Sequence, residues 1–152
     1  MKHLLIILSI LLISSPVIGD NHKGKTLYGW GKCCDYVWKG FGDKETHSKY
    51  TGDVGNGVPN GFGIMIFPNG NKYIGDWKDG KWNGQGTFTT SNGSKYEGEL
   101  KNGERHGQGT HTYPDGSKYE GEYKDDWELN GTQYDKNGNI KYKYVNGKQI
   151  KQ

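Results

Sequence analysis

The chain has 152 residues and a formal net charge of +3, from 20 Lys and Arg against 17 Asp and Glu. This length suits one domain, and the balanced charge excludes a general nucleic-acid binder, in which basic residues dominate. Hydrophobic residues make up only 31% of the chain, so a core depends on how its 11 tyrosines, 5 tryptophans and 4 phenylalanines are spaced.

The first 19 residues have the pattern of a secretory signal peptide. Lys2 precedes a run rich in Leu and Ile from Leu4 to Ile13, and Val17 and Gly19 supply small side chains before an expected cleavage after Gly19. The run is shorter than the roughly 20 apolar residues that cross a bilayer, which makes an uncleaved anchor the weaker alternative. We therefore expect an exported protein, periplasmic or secreted, that begins at Asp20.

Residues 20–49 contain aromatic residues and the sequence Gly40-Phe41-Gly42, without a clear register relative to the rest of the chain. We expect a divergent hairpin or N-terminal cap here. The segment also holds Cys33 and Cys34, whose mutual bond would close a strained ring, so free thiols and pairing with another chain both stay open. Two thiolates could bind a soft metal, but no second ligand cluster accompanies them, and we expect no metal.

From residue 50 onward the chain repeats every 23 residues. Tyrosines mark the repeat: Tyr50, Tyr73, Tyr96, Tyr119 and Tyr142. Five glycines follow the first tyrosine and recur 23 and 46 residues later: Gly52, Gly57, Gly61, Gly63 and Gly70. Periodicity of this length is typical of stacked repeats, in which each unit buries its apolar face against the next.

Each unit is predicted to be a β-hairpin. Asn-Gly and Asp-Gly pairs such as Asn56-Gly57 end the segments, and both residues of such a pair tolerate the positive φ of tight turns. Between turns the sequence alternates, placing on one face Tyr73, Gly75 and Trp77. Inward glycines leave room for neighbouring rings to lie across the backbone, as we expect for Gly98, Gly107 and Gly109. The predicted fold is all-β: a single-layer antiparallel hairpin meander, curved and twisted, with divergent N- and C-terminal caps.

The segments YIGDWKDGKWNGQGTF and YEGELKNGERHGQGTH resemble the MORN repeat (membrane occupation and recognition nexus), with its pattern Tyr-x-Gly-x-aromatic-x-x-Gly followed by Gly-x-Gly. The resemblance covers units 50–72, 73–95 and 96–118. A degenerate unit follows at 119–141, where Asp126 replaces a turn glycine, and a basic tail at 142–152. The resemblance is to the short exported bacterial type, and it implies a non-enzymatic module for scaffolding, dimerisation or phospholipid contact.

Motifs that suggest chemistry are explained better by the repeat. Gly75–Trp82 approaches a phosphate loop but lacks the final Ser or Thr, and a strand rather than a helix is predicted after it. Asp135–Ile140 begins like a calcium loop but has Ile140 where glycine is required. His106 shares a position with Asn60 and Asn83, which we interpret as a turn position. We therefore expect no catalytic residue, no cofactor, no small-molecule substrate and no enzyme activity.

Three binding modes fit these features. The favoured one is a protein partner or a second copy, bound at an open end strand or in an aromatic groove lined by Tyr73, Trp77, Phe88, Tyr96, Tyr113, Tyr119 and Tyr123. The second is a membrane lipid surface contacted by Lys136, Lys141, Lys143, Lys148 and Lys151. The third is cell-wall carbohydrate stacked on exposed rings such as Trp77, Trp82, Trp127 and Tyr113.

Overall fold

The computed structural model describes residues 24–31 and 35–151, so the predicted signal peptide, Cys33 and Cys34 lie outside the described residues. The described residues form twelve strands: β1 (Lys25–Trp30), β2 (Val37–Lys39), β3 (Ser48–Gly55), β4 (Val58–Ile66), β5 (Lys72–Lys78), β6 (Lys81–Thr89), β7 (Lys95–Lys101), β8 (Glu104–Thr112), β9 (Lys118–Lys124), β10 (Trp127–Tyr134), β11 (Ile140–Val145) and β12 (Lys148–Lys151). Over these ranges there is no helix that could span a bilayer.

All twelve strands pair antiparallel in one open sheet. From one edge of the sheet to the other, the strands run in reverse chain order from β12 to β3, followed by β1 and then by β2 at the far edge. The predicted all-β hairpin meander is thus confirmed, and β2 and β12 are its two edge strands.

The turns within the units adopt the predicted tight geometry. In the first unit both central residues have positive φ, 52° at Asn56 and 78° at Gly57. This is a type I′ turn, whose twist matches that of the flanking strands. The degenerate unit keeps the same geometry without glycine, with φ of 50° at Asp125 and 69° at Asp126. The turn glycine is therefore favoured rather than required here.

The core lies on one face of the sheet and is organised by the repeat tyrosines. The side chains with at most 4% exposure include Tyr50, Tyr73, Tyr96 and Tyr119. Each ring lies across the glycines of its own hairpin, and a Cβ built on Gly86 would come within 3.0 Å of the Tyr73 ring. The Tyr73 hydroxyl also donates to the Asp76 carbonyl oxygen at 3.0 Å. Glycines at these positions therefore make room for rings.

The fourth hairpin, formed by β9 and β10, departs from the 23-residue spacing. Gly121 pairs with Gly131, ten residues on, whereas Gly98 pairs with Gly109, eleven residues on. A further register shift follows in β10 beside β11. As a result Tyr144, not Tyr142, packs edge to face on Tyr119, with ring centroids 5.3 Å apart. The basic segment from residue 142 onward is therefore mostly strand, part of a fifth hairpin formed by β11 and β12.

His106 and its asparagine counterparts lie in strands, which corrects the interpretation of a turn position. His106 is in β8 and Asn60 is in β4. The strands after the tight turns, β4, β6 and β8, each have nine residues and include this position. There it lies next to the turn of the following hairpin. The Asn60 Oδ1 accepts from the Asp79 N–H at 3.4 Å, and the His106 Nδ1 lies 3.6 Å from the Asp125 Oδ1.

Candidate functional site

Most rings of the predicted aromatic groove belong to the core. Five of the seven are at most 4% exposed: Tyr73, Trp77, Tyr96, Tyr119 and Tyr123. Burial raises the pKa of Tyr96 and of Tyr119 to about 12. A ligand could reach little of these five rings without opening the core, because the repeat tyrosines lie across their glycines and Trp77 and Tyr123 pack edge to face on them. Only Phe88 and Tyr113 are half-buried.

An acidic position that the sequence analysis missed holds each hairpin together. Three residues after each repeat tyrosine stands Asp53, Asp76, Glu99 or Glu122. The Asp76 Oδ2 accepts from the Gln85 N–H on the opposite strand at 3.0 Å, and Glu99 does the same for Gln108. A Cβ on Gly107 would come within 3.0 Å of the Glu99 carboxylate. Gly107 therefore makes room for a carboxylate and not for a ring.

Edge-to-face ring contacts run along the core as a ladder. We number positions from the repeat tyrosine, so that Trp77 is at position +4. The Trp77 ring lies 5.3 Å from that of Tyr73, and Tyr123, at +4 of the fourth unit, lies 5.3 Å from Tyr96. In the third unit Leu100 occupies position +4. The ring ladder is therefore interrupted between Tyr73 and Tyr96.

A groove of about 500 Å³ opens at this interruption, and we name it the Leu100 groove. Its lining comprises Trp82, Phe88, Thr90, Ser94, Tyr96, Leu100, Gly103, Arg105, His111 and Asp126. On one side the Trp82 ring stacks on Tyr73, with centroids 4.4 Å apart and planes 15° apart, and lies 5.2 Å from the Phe88 ring. Of the seven residues predicted to form an aromatic groove, Phe88 and Tyr96 line the Leu100 groove, and of these two only Phe88 is half-buried.

The other side of the Leu100 groove is polar but carries no unbalanced charge. The Arg105 Nε donates to the Asp126 Oδ1 at 3.0 Å, and its Nη2 donates to the Asp126 carbonyl oxygen at 2.7 Å. The His111 Nε2 lies 2.7 Å from the Ser94 Oγ, while the His111 Nδ1 is buried and finds no hydrogen-bond partner in the part of the chain that the structure describes. Burial, and next the Arg105 charge, lower the pKa of His111. The imidazole is therefore neutral at pH 7.

Three of the five predicted membrane-contact lysines share the face opposite the rings with two exposed apolar residues: Lys141, Lys143, Lys148, Val145 and Ile150. The register pairs Lys143 with Ile150 and Val145 with Lys148, and paired residues point to the same face. Lys136 lies in the turn before β11, and Lys151 takes the register position opposite Tyr142. The structure thus groups three lysines into one patch, the β11–β12 lysine patch.

The rings considered for carbohydrate stacking do not share one surface. Trp77 is 4% exposed, whereas Trp127 is 79% exposed beside the Asp125-Asp126 turn. Tyr113 is half-buried, and its hydroxyl lies 3.3 Å from the Glu128 Oε1. Within residues 24–31 and 35–151, no three His, Cys, Asp or Glu side chains come together as metal ligands would.

Comparison with known proteins agrees with the repeat that the hairpins define. The MORN repeat family model matches residues 50–72, 73–95 and 96–118, which are the units set by the tyrosine spacing. No curated protein matches the chain. Each matched unit comprises one type I′ hairpin, with the repeat tyrosine across its glycines and the acid that holds its second strand. Residues 50–118 are therefore three consecutive MORN repeats.

Proposed function

We propose that the protein is a non-enzymatic scaffold, exported to the cell envelope, that binds a protein partner or a second copy of itself through its open edge strand β12. MORN repeats in general mediate protein or membrane-lipid contacts. The observation that carries the proposal is that the sheet is open and ends in β12, which has no neighbour beyond it among the described residues. Val145 and Ile150 beside this edge are 47% and 50% exposed.

The backbone at the β12 edge is arranged to accept another strand. The two-residue Asn146-Gly147 turn makes Val145 and Lys148 the first hydrogen-bonded pair of the hairpin. Pairs alternate in antiparallel strands, so Gln149 is in a non-hydrogen-bonded pair and its N–H and C=O point away from β11. Such unpaired groups are the usual point of attachment for an added strand.

A substitution at Gln149 tests this mode. Gln149→Pro removes the outward N–H without removing a β11–β12 hydrogen bond, because the N–H of residue 149 does not point toward β11. We expect purified residues 20–152 to associate with rising concentration in light scattering, and the proline variant to stay monomeric with an unchanged circular dichroism spectrum. Gln149→Ala, which keeps the N–H, is the matched control.

A second measurement covers a partner other than the protein itself. A photo-cross-linking amino acid placed at position 149 in intact cells should give an adduct with a second copy or with one envelope protein. A protein that is monomeric at all concentrations and also gives no adduct would overturn the proposal.

Export is tested separately. The sequence MKHLLIILSILLISSPVIGD supports it by its charge, apolar run and small residues. Fusing residues 1–30 to a phosphatase that is active only outside the cytoplasm should give activity, and mass spectrometry of the native protein should find Asp20 at the N-terminus. An inactive fusion and an intact N-terminus would refute export.

The β11–β12 lysine patch favours a second candidate, binding to an anionic lipid surface. Its lysines lie beside Val145 and Ile150, so charge attraction and shallow apolar contact act on one face. Vesicles rich in phosphatidylglycerol should pellet the protein at low salt and lose it at high salt. Lys143→Glu with Lys148→Glu should abolish pelleting. The matched control, Lys78→Glu with Lys101→Glu, changes two exposed lysines elsewhere and should have no effect.

A further inference from the structure

We propose that the Leu100 groove binds one tyrosine side chain of a protein partner, whose ring completes the interrupted ring ladder. This inference rests on the protein-binding function proposed above and specifies what the partner must present. It concerns a different surface from the β12 edge, so the two can fail independently.

The place that the partner ring would occupy is filled by the chain itself in the neighbouring units. Trp77 stands opposite Gly61, and Tyr123 stands opposite Gly107. Leu100 stands opposite Gly84 in the same arrangement. The strand register is therefore the same in the three places, and only Leu100 is too small to bridge to the next ring. The groove is the volume that this smaller side chain leaves.

The interruption separates two groups of ring contacts along the core. One group includes Trp38, Trp77, Tyr73, Trp82 and Phe88. The other joins Tyr96, Tyr123, Tyr119 and Tyr144. A ring placed over Leu100 would have Trp82 and Phe88 on one side and Arg105 on the other. Aromatic rings favour edge-to-face contacts with other rings, at centroid separations like those along the ladder.

The charges of the Leu100 groove favour a neutral occupant. The Arg105 guanidinium is already paired with Asp126, and His111 is uncharged. A carboxylate, a phosphate or an ammonium group would thus find no free opposite charge and would lose its hydration. The groove is complementary to a neutral ring.

One buried atom distinguishes tyrosine from phenylalanine. The buried His111 Nδ1 has no hydrogen-bond partner among residues 24–31 and 35–151, and leaving a buried polar atom unpaired is costly. A hydroxyl both donates and accepts, so it satisfies this nitrogen whichever tautomer the imidazole takes. His111 lines the groove, and a rotation of its imidazole would bring the buried Nδ1 to the groove surface. A phenol combines the flat ring that the ladder lacks with a hydroxyl that can pair with this nitrogen. A sugar supplies hydroxyls but no aromatic ring for edge-to-face contacts.

The experiment uses purified residues 20–152 and N-acetyl-tyrosinamide as the probe, titrated while the Trp82 indole and His111 imidazole signals are followed by NMR. We expect saturable shifts of both signals. N-acetyl-phenylalaninamide, which lacks only the hydroxyl, should bind about tenfold more weakly, as for one lost hydrogen bond to a buried group. N-acetylglucosamine should cause no saturable shift.

Three variants make the test specific. Leu100→Trp copies the residue that stands at +4 in the second unit, so it should fold with unchanged circular dichroism and no loss of stability, yet bind no probe. Leu100→Met keeps a flexible apolar side chain of similar size and should bind like the wild type. In His111→Phe the difference between the tyrosine and phenylalanine probes should disappear.

The outcomes separate this site from the β12 edge. Probe binding that is unchanged in Gln149→Pro supports an independent groove. Association through β12 without saturable binding of the tyrosine probe overturns the groove alone, and probe binding by a protein that neither associates nor cross-links at position 149 overturns the edge alone. Tighter binding of N-acetylglucosamine than of N-acetyl-tyrosinamide, or full binding in Leu100→Trp, would also overturn the groove.

Discussion

A tight steric constraint on the scaffold is the glycine beneath each repeat tyrosine. In Gly86→Ala the new methyl would come within 3.0 Å of the Tyr73 hydroxyl and ring. The Tyr73 side chain has no exposed surface, so the ring cannot move outward without leaving the core. It would also lose its hydrogen bond to the Asp76 carbonyl and its contacts with Trp77 and Trp82.

The magnitude follows from these contacts. Overpacking a core costs about 1–3 kcal/mol, the lost hydrogen bond about 1 kcal/mol, and each disturbed ring pair about 0.5–1.5 kcal/mol. The three effects share one movement of the ring and are not additive. We therefore expect Gly86→Ala to lower the free energy of unfolding by about 3–4 kcal/mol, a large part of the stability of a small domain.

The assay is urea unfolding followed by tryptophan fluorescence, in which the m-value checks that the unfolded states are comparable. Gly40→Ala is the matched control, because nothing lies within 4 Å of a Cβ there and its φ is not in the left-handed region. It should change stability by less than about 0.5 kcal/mol. Repeating Gly86→Ala in a Tyr73→Leu background should reduce its cost to about 1 kcal/mol or less. A loss of under about 1 kcal/mol in the wild-type background, or an equal loss in both backgrounds, would refute the steric reasoning.

The remaining predictions concern the acidic position and the titration of buried groups. Asp76→Ala leaves the Gln85 N–H without its acceptor and should cost about 1–2 kcal/mol in urea unfolding, while Asp76→Asn recovers most of it; equal losses would contradict a hydrogen-bonding role. Burial raises the pKa of Tyr96 from 10.0 to about 12, so the folded state holds this proton more tightly, and stability should fall as pH rises above about 10. The phenolate absorbance that disappears in Tyr96→Phe should then rise together with loss of the circular dichroism signal, and a rise of this component before unfolding would count against burial. Burial and Arg105 lower the pKa of His111 below 6.5, so its contribution is complete above that pH and is lost as pH falls and the unfolded state takes up the proton. His111→Phe should therefore flatten the change in urea midpoint between about pH 7.5 and pH 5.5, and an undiminished change would assign it to other groups.

The hairpin scaffold could be predicted because the sequence presents each structural requirement three times over. A single Asn56-Gly57 pair predicts a turn, and its recurrence at one spacing fixes which segments pair. The same alignment contains the acidic position of Asp76. Alternation places this side chain on the outer face, so it does not predict a hydrogen bond across the hairpin. Its role depends on the bulge beside Gly75, which lets the carboxylate reach the opposite strand.

Register and burial could not be predicted from spacing. Tyr142 continues the 23-residue count, but the shorter Gly121–Gly131 pairing moves Tyr144 into the ring ladder instead. A one-residue deletion within a hairpin can be recognised only when the pairing of its two strands is known. The burial of Tyr73 is a similar case, because alternation indicates which face a ring is on and not whether the ring lies flat across a glycine or stands free.

The residues that stabilise each hairpin are not the residues that differ between units. Binding specificity therefore depends on the positions that differ. The repeat tyrosine, its glycines and the acid are each fixed by a contact within the hairpin, so they cannot change to suit a ligand. Three positions on the core face carry different chemistry from unit to unit, and in the third unit they are Leu100, Arg105 and His111. All three line the Leu100 groove. Since the backbone around +4 accepts tryptophan, leucine or tyrosine alike, these positions can alter what the sheet binds without altering how it folds.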